Sequence, residues 1–204
     1  MKKDKIFEFI KKVNAIAHTG IAYSTDDYAL DNYKELLAES TSMLQEYMGL
    51  DVKPYDIYQD YYYPTPQPCV RTFVIKDNKI LLVKEAKMHD EGKWSLPGGW
   101  CDIDTSPMEA AKKEVEEESG YVIEITKLLG IQDRSKYIKS TMYDSYNIFF
   151  LGHIVGGSDN PNFEVIETGW FGFDNLPELS SKTTKLELSI IYKNYLEGKD
   201  PYFE

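Results

Sequence analysis

At 204 residues the chain is long enough for one medium domain with an appendage or for two small domains, and it can bury a core of useful size. Its 34 acidic against 23 basic residues give a net charge of −11, which argues against broad adhesion to nucleic acid or anionic membrane while still allowing anionic nucleotides to bind through a metal ion. No stretch approaches the roughly 18 apolar residues of a membrane span. The two cysteines, Cys69 and Cys101, sit at no metal-ligand spacing and read as free thiols of a cytoplasmic protein.

Ile6, Ile10, Val13 and Ala17 recur at helical spacing over residues 4–18, with Phe7 and Phe9 widening the apolar surface, and predict an amphipathic helix that Thr19-Gly20 interrupts. A second helical pattern runs from about Asp26 to Met48, with Tyr33, Leu36, Leu37, Met43, Leu44 and Tyr47 expected on its buried side. Residues 1–50 therefore read as a helical hairpin domain. A hairpin this small cannot bury both faces internally, so it is expected to pack on the next domain or on another copy, and a homodimer is the favoured reading. His18 reads most simply as a polar residue near a helix end.

Residues 51–67 are rich in proline and tyrosine and read as a linker. Its Tyr61, Tyr62 and Tyr63 suit packing at a domain junction or, alternatively, stacking on a nucleobase. Residues 68–204 form the remaining domain. From Cys69 to Val83 two strands are predicted around a tight Asp77-Asn78 turn, and Trp94-Ser95-Leu96 is a short strand feeding a glycine loop. Further strands follow at Val122–Ile131, Tyr146–Ile154 and Thr168–Phe173, with a last helix from about Ser181 to Glu197. Strands on both sides of one central helix indicate an α+β domain, or a layered α/β/α one.

The stretch from Gly98 to Tyr121 carries the chemistry. Ser106-Pro107-Met108-Glu109 places a hydroxyl N-cap, a proline at the first helical position and a glutamate at the third, a capping box that starts a helix at Pro107. Gly120 suits the left-handed residue that ends it, and Met108, Ala111 and Val115 fall on one apolar face. At about 100° per residue, Glu114, Glu117 and Glu118 cover an arc of roughly 100° beside that face, so three carboxylates are expected to converge. Like charges at this spacing, near the negative end of the helix dipole, repel one another. A solvated acidic face is one reading; a phosphate-bound divalent cation, which prefers oxygen ligands, is the other.

The frame of Gly99, Glu114, Val115, Glu117, Glu118 and Gly120 resembles the Nudix box, with Thr105 and Lys113 standing where the family pattern has a glutamate and an arginine. Lys113 can still meet Glu117 at four residues' spacing but lacks a planar guanidinium. The resemblance covers about residues 68–200 and implies a mixed sheet between helices. The front of the chain, Ala15 to Ser24 and Tyr33 to Leu36, is similar to the helical N-terminal extension of bacterial Nudix hydrolases acting on X-linked nucleoside diphosphates, CDP-choline pyrophosphatase among them.

What the resemblance implies is hydrolysis of a nucleoside diphosphate linked to X, of CDP-choline or ADP-ribose type, to a nucleoside monophosphate and phospho-X. Mg²⁺ or Mn²⁺ would be held by Glu114, Glu117 and Glu118, with the Gly98 carbonyl as a further ligand. A glutamate from a loop beyond the box would add a metal ligand or general base, Glu167 ahead of Glu164 and favoured for the base with Glu164 for the metal, the alternative for either being a solvated loop charge. Arg71, on the first strand, is a candidate phosphate ligand, the alternative being a surface ion pair. Two other functions compete: an RNA-processing member of the family, which the net charge argues against, and a nucleotide sensor that has lost turnover.

Overall fold

The computed structural model describes residues 5–48, 64–86, 90–102, 104–138 and 144–204. The chain divides into two compact units, residues 1–66 with 139–144 and residues 67–138 with 145–204. Most of the expected linker, including Tyr61, Tyr62 and Tyr63, lies outside the described residues.

In the first unit, α1 (Lys5–Tyr23) and α2 (Asp27–Met48) form the hairpin. Thr19-Gly20 does not interrupt α1, contrary to expectation. Gly20 serves a close approach instead, because a Cβ there would stand 2.4 Å from the Tyr33 ring of α2. His18 is accordingly a buried mid-helix residue rather than a helix end. Leu36, Met43 and Tyr47, expected to be buried, are exposed; the buried stripe of α2 is Leu37, Ser40, Thr41 and Leu44. Those hydroxyls tolerate burial because Asn14 Nδ2 donates to Ser40 Oγ at 3.0 Å and to Thr41 Oγ1 at 3.1 Å, while both hydroxyls donate back to the Leu37 carbonyl.

The second unit is the expected α+β fold. It contains β1 (Gln67–Lys76), β2 (Lys79–Glu85), β3 (Trp94–Ser95), α3 (Pro107–Ser119), β4 (Tyr121–Asp133), β5 (Ser145–Gly157), β6 (Val165–Gly172), α4 (Lys185–Leu196) and β7 (Tyr202–Phe203). The strand order is β3-β2-β1-β5-β4-β7, with β6 also paired to β2. The sheet is mixed: β1 runs parallel to β5, β4 antiparallel to β5, and β7 parallel to β4. Asp77 and Asn78 both take positive φ, 50° and 58°, the signature of the two-residue hairpin turn expected between β1 and β2.

One face of the sheet packs on α4 through Phe73, Phe149, Leu188 and Ile191. The other packs on α3 through Val70, Ala110, Ala111 and Phe150, and, further along, through Val74, Leu81, Val115 and Ile123. The helix α3 is thereby clamped against β1, β2, β4 and β5.

Candidate active site

The α3 helix begins and ends as its sequence specifies. Ser106 accepts from Glu109 N–H, Glu109 accepts from Ser106 N–H, and Gly120 closes the helix at φ 77°. The backbone of 158–162 then wraps its C-terminus: Ser158, Asn160 and Asn162 donate to the carbonyls of Gly120, Ser119 and Glu117, which lack intrahelical partners. The segment bearing Glu164 and Glu167 leaves directly from this wrap.

The buried stripe of α3 differs from the expected one. Met108 is exposed, and the inward residues are Ala110, Ala111, Val115, Glu118 and Ser119. Glu118 continues the apolar stripe at i+3 from Val115, so a carboxylate is carried inside with only 3 % of its residue surface exposed. Glu114 is half-buried and Glu117 exposed. The three glutamates therefore descend one flank of the helix at graded depth rather than meeting at a point. Among the described residues no three His, Cys, Asp or Glu side chains are close enough to enclose a metal by themselves.

The glycine loop lies along β1 like an extra strand, with Val70 N–H donating to Gly99 O at 2.9 Å and Thr72 N–H to Pro97 O at 3.0 Å. Gly98 has φ 145°, and a Cβ there would sit 2.0 Å from the Val70 carbonyl oxygen. Only glycine fits. The Gly98 N–H points to α3 and donates to Glu118 Oε2 at 2.8 Å. Gly99 is nearly in contact with Glu114, whose Oε1 would be 2.6 Å from an added Cβ.

Burial pushes the Glu118 carboxyl up to about 7, opposed by Lys182, the Gly98 N–H and Arg71, and reinforced by the neighbouring Glu114. Burial also raises Glu114; Arg71 opposes that shift and Glu117 adds to it. Arg71 is 3 % exposed, so the surface ion-pair alternative does not describe it, and its Nη1 donates to the Gly98 carbonyl. A carbonyl oxygen has two lone pairs, which leaves one available on the atom expected to ligate metal.

Glu167 lies on β6 opposite Lys84 of β2 and is ion-paired to it at 2.8 Å. Glu164 is exposed just before β6, its carbonyl bonded to Ala86 N–H. Lys113 does reach Glu117, at 3.9 Å, but its shorter contact is with Asp102 in the loop, at 2.6 Å. It thus ties helix to loop from outside.

Sequence reasoning missed a second buried acid. Glu85, at the end of β2, is 5 % exposed, accepts from Ser95 Oγ at 2.8 Å and pairs with Lys182 at 2.7 Å. No local signal marks it, since residues 85, 95, 118 and 182 meet only through the fold.

The donors around Glu118 suit a hard divalent cation. They are oxygens throughout, one carboxylate is held inside at an energetic cost, and the glycines are fitted to the glutamates. Mg²⁺ commonly uses a few carboxylates together with substrate phosphates rather than a closed protein cage, so the graded arrangement fits it.

Comparison with known proteins agrees with this geometry. The NUDIX domain model matches residues 65–191, and the model described as UDP-X-like, N-terminal oligomerisation domain matches residues 4–54. YjhB of Bacillus subtilis (strain 168), provisionally named an ADP-ribose pyrophosphatase, is 38% identical over 92% of this chain and 91% of its own. The ADP-ribose pyrophosphatase of Methanocaldococcus jannaschii is 29% identical over 74% of this chain and 82% of its own. Among solved structures, a UDP-X diphosphatase aligns over the whole of both chains at TM-score 0.66 and 26% identity. An ADP-ribose pyrophosphatase from Streptococcus suis 89-1591 aligns at TM-score 0.59 and 35% identity, covering 69% of this chain and all of its own. The chain belongs to the Nudix family and is a pyrophosphohydrolase of that family, with a helical N-terminal domain of the UDP-X type.

Proposed function

We propose that this enzyme uses Mg²⁺ or Mn²⁺ to hydrolyse a nucleoside diphosphate linked to X, of the ADP-ribose or CDP-choline type, to a nucleoside monophosphate and phospho-X. The single observation that carries this reading is Glu118: a carboxylate buried to 3 % exposure and held by the Gly98 N–H is costly unless it serves a cation. Glu114, Glu117, Glu118 and the Gly98 carbonyl would hold the metal, with Glu164 as a further donor. Once bound, the ion neutralises pyrophosphate charge and lowers the pKa of the attacking water.

The chain's own residues supply the rest. Water adds to one phosphorus as the bridging P–O bond breaks, and a carboxylate must accept the proton. Glu167 is the proposed acceptor, which requires it to leave Lys84. Arg71, next to Glu114 and Glu118, is proposed to face the substrate phosphates while bracing the Gly98 carbonyl. A boundary scheme of a hairpin domain at 1–50, a linker at 51–67 and a hydrolase domain at 68–204 belongs to the same proposal.

The hairpin is proposed to make a homodimer. Phe9, Ile16 and Tyr23 recur every seven residues along α1 and are 66%, 49% and 65% exposed, outside the buried stripe of Phe7, Ile10, Asn14 and Ala17. The UDP-X-like oligomerisation match over the same residues supports this.

The test is a panel of ADP-ribose, CDP-choline and other X-linked nucleoside diphosphates, incubated with Mg²⁺ or Mn²⁺ and resolved by chromatography. Equal yields of nucleoside monophosphate and phospho-X are expected. Binding without any release would mark a sensor instead.

A further inference from the structure

Two buried carboxylates from different elements share one ammonium. Lys182 reaches Glu85 Oε2 at 2.7 Å and Glu118 Oε1 at 4.0 Å. The second oxygen of each acid is already occupied, that of Glu85 by Ser95 Oγ and that of Glu118 by Gly98 N–H, both at 2.8 Å. Lys182 is delivered by a segment laced to β3: Trp94 N–H donates to Glu178 O at 2.9 Å, Ser180 N–H to Trp94 O at 2.7 Å, and Ser181 Oγ to Asp90.

Two acids withdrawn from water would protonate or be expelled without a cation between them. The unequal distances show how this one is divided. Lys182 forms a hydrogen-bonded ion pair with Glu85 and only leans on Glu118, leaving Glu118 Oε1 as the least satisfied oxygen of the pair. A lysine free to choose would close on either acid.

We infer that Lys182 is a positioning residue of the cation site, tethered by Glu85 so that its charge stays beside Glu118 without capping it, and that this pair sets how tightly a divalent cation is held. The inference rests on Glu118 being a cation ligand, as proposed above. Its consequence is a pair of opposite signs. Glu85→Gln removes a negative charge and releases Lys182 onto Glu118 Oε1, so the cation should bind more weakly. Lys182→Met keeps the apolar stem but removes the competing charge, so the cation should bind more tightly. One charge at side-chain distance from a dication alters affinity by about tenfold in either direction. The double variant, with both charges gone, should return close to the wild-type value.

The experiment is Mn²⁺ binding by the full chain without substrate, read from the free-ion electron paramagnetic resonance signal at pH 8.5, with circular dichroism to establish folding. Opposite shifts of the two single variants support the inference. Parallel weakening, or a Lys182→Met variant that is unchanged or weaker, overturns it. Lys182→Arg, which keeps the charge, should stay within about threefold of wild type; a loss as large as that of Glu85→Gln also counts against the inference. Glu118→Gln in the same assay separates the two levels. If it loses Mn²⁺ while the single variants move together, only the role of Lys182 falls; if it keeps wild-type affinity, the cation is not on Glu118 and both readings fall.

Discussion

Gly98 donates its N–H to Glu118 Oε2 at 2.8 Å, joining the glycine loop to the far end of α3 across 20 residues. The same glycine rests against Val70 O with φ 145°, so the carboxylate is positioned by the sheet through the loop. Gly98→Ala should therefore lose on the order of 3 kcal/mol or more of stability, because an added Cβ meets rigid backbone. Gly99→Ala meets only the Glu114 carboxylate, a side chain that can swing away. It should melt within a few degrees of wild type and still lose turnover. Thermal denaturation alongside steady-state rates checks both; equal melting points for the two variants would contradict this.

The burial of Glu118 has a pH signature. Its folded pKa, about 7, lies above the ordinary 4.5, so between these values the folded state binds the extra proton and stability falls as pH rises. The stabilising proton is fully present below pH 4.5 and lost as pH passes through about 7. Metal-free wild-type protein should thus lose on the order of 2 kcal/mol relative to Glu118→Gln between pH 5 and pH 8. Denaturant titrations of both proteins at the two pH values measure the difference, and parallel stability curves would refute the assignment.

Cation binding needs the ionised carboxylate, so Mg²⁺ affinity should fall as pH drops below about 7. Calorimetry in buffers of different ionisation enthalpy should detect proton release at pH 6 and little at pH 8.5.

Lys113, where the family pattern has arginine, ties Asp102 to Glu117 from the exposed side of the helix. Lys113→Ala should leave the melting temperature unchanged and lower turnover several-fold. Lys113→Arg should turn over at least as fast as wild type, since a planar fork can hold both acids. A large melting shift in the Ala variant would make the residue structural.

The exposed stripe of α1 offers a test of assembly. Phe9→Asp with Ile16→Asp should convert a dimer to a monomer in light scattering without unfolding, because neither residue is in the buried stripe facing α2. A monomeric wild-type protein would remove the dimer from the proposal.

Much of this was legible in the chain. The Ser106 and Glu109 cap, the Gly120 stop, the Asp77-Asn78 turn and the strand runs are local signals, and the structure follows them. Where reading failed, a tertiary contact had overridden a local rule. Gly20 looked like a helix breaker but makes room for the Tyr33 ring. Met108 looked buried by period, yet the inward stripe passes through Ala110 and Ala111 and ends on a carboxylate. Ser40 and Thr41 join the buried stripe of α2 although nothing nearby in sequence announces their partner Asn14. The strand β7 is two residues long and leaves no pattern. Glu85 and Lys182 escaped for the same reason: their pairing exists only once β2, α3 and the segment before α4 are brought together.

The central claim is that the cation site at Glu118 drives pyrophosphate hydrolysis. It is tested most directly by titrating Mg²⁺ into wild type and Glu118→Gln with the best substrate of the panel and following nucleoside monophosphate release. Wild type should show saturable, Mg²⁺-dependent turnover, and the folded variant should retain less than about one hundredth of it, the scale of losing a group that acts on the reacting centre. Wild-type rates from Glu118→Gln, or turnover indifferent to Mg²⁺ and abolished by neither chelator nor substitution, would contradict the claim.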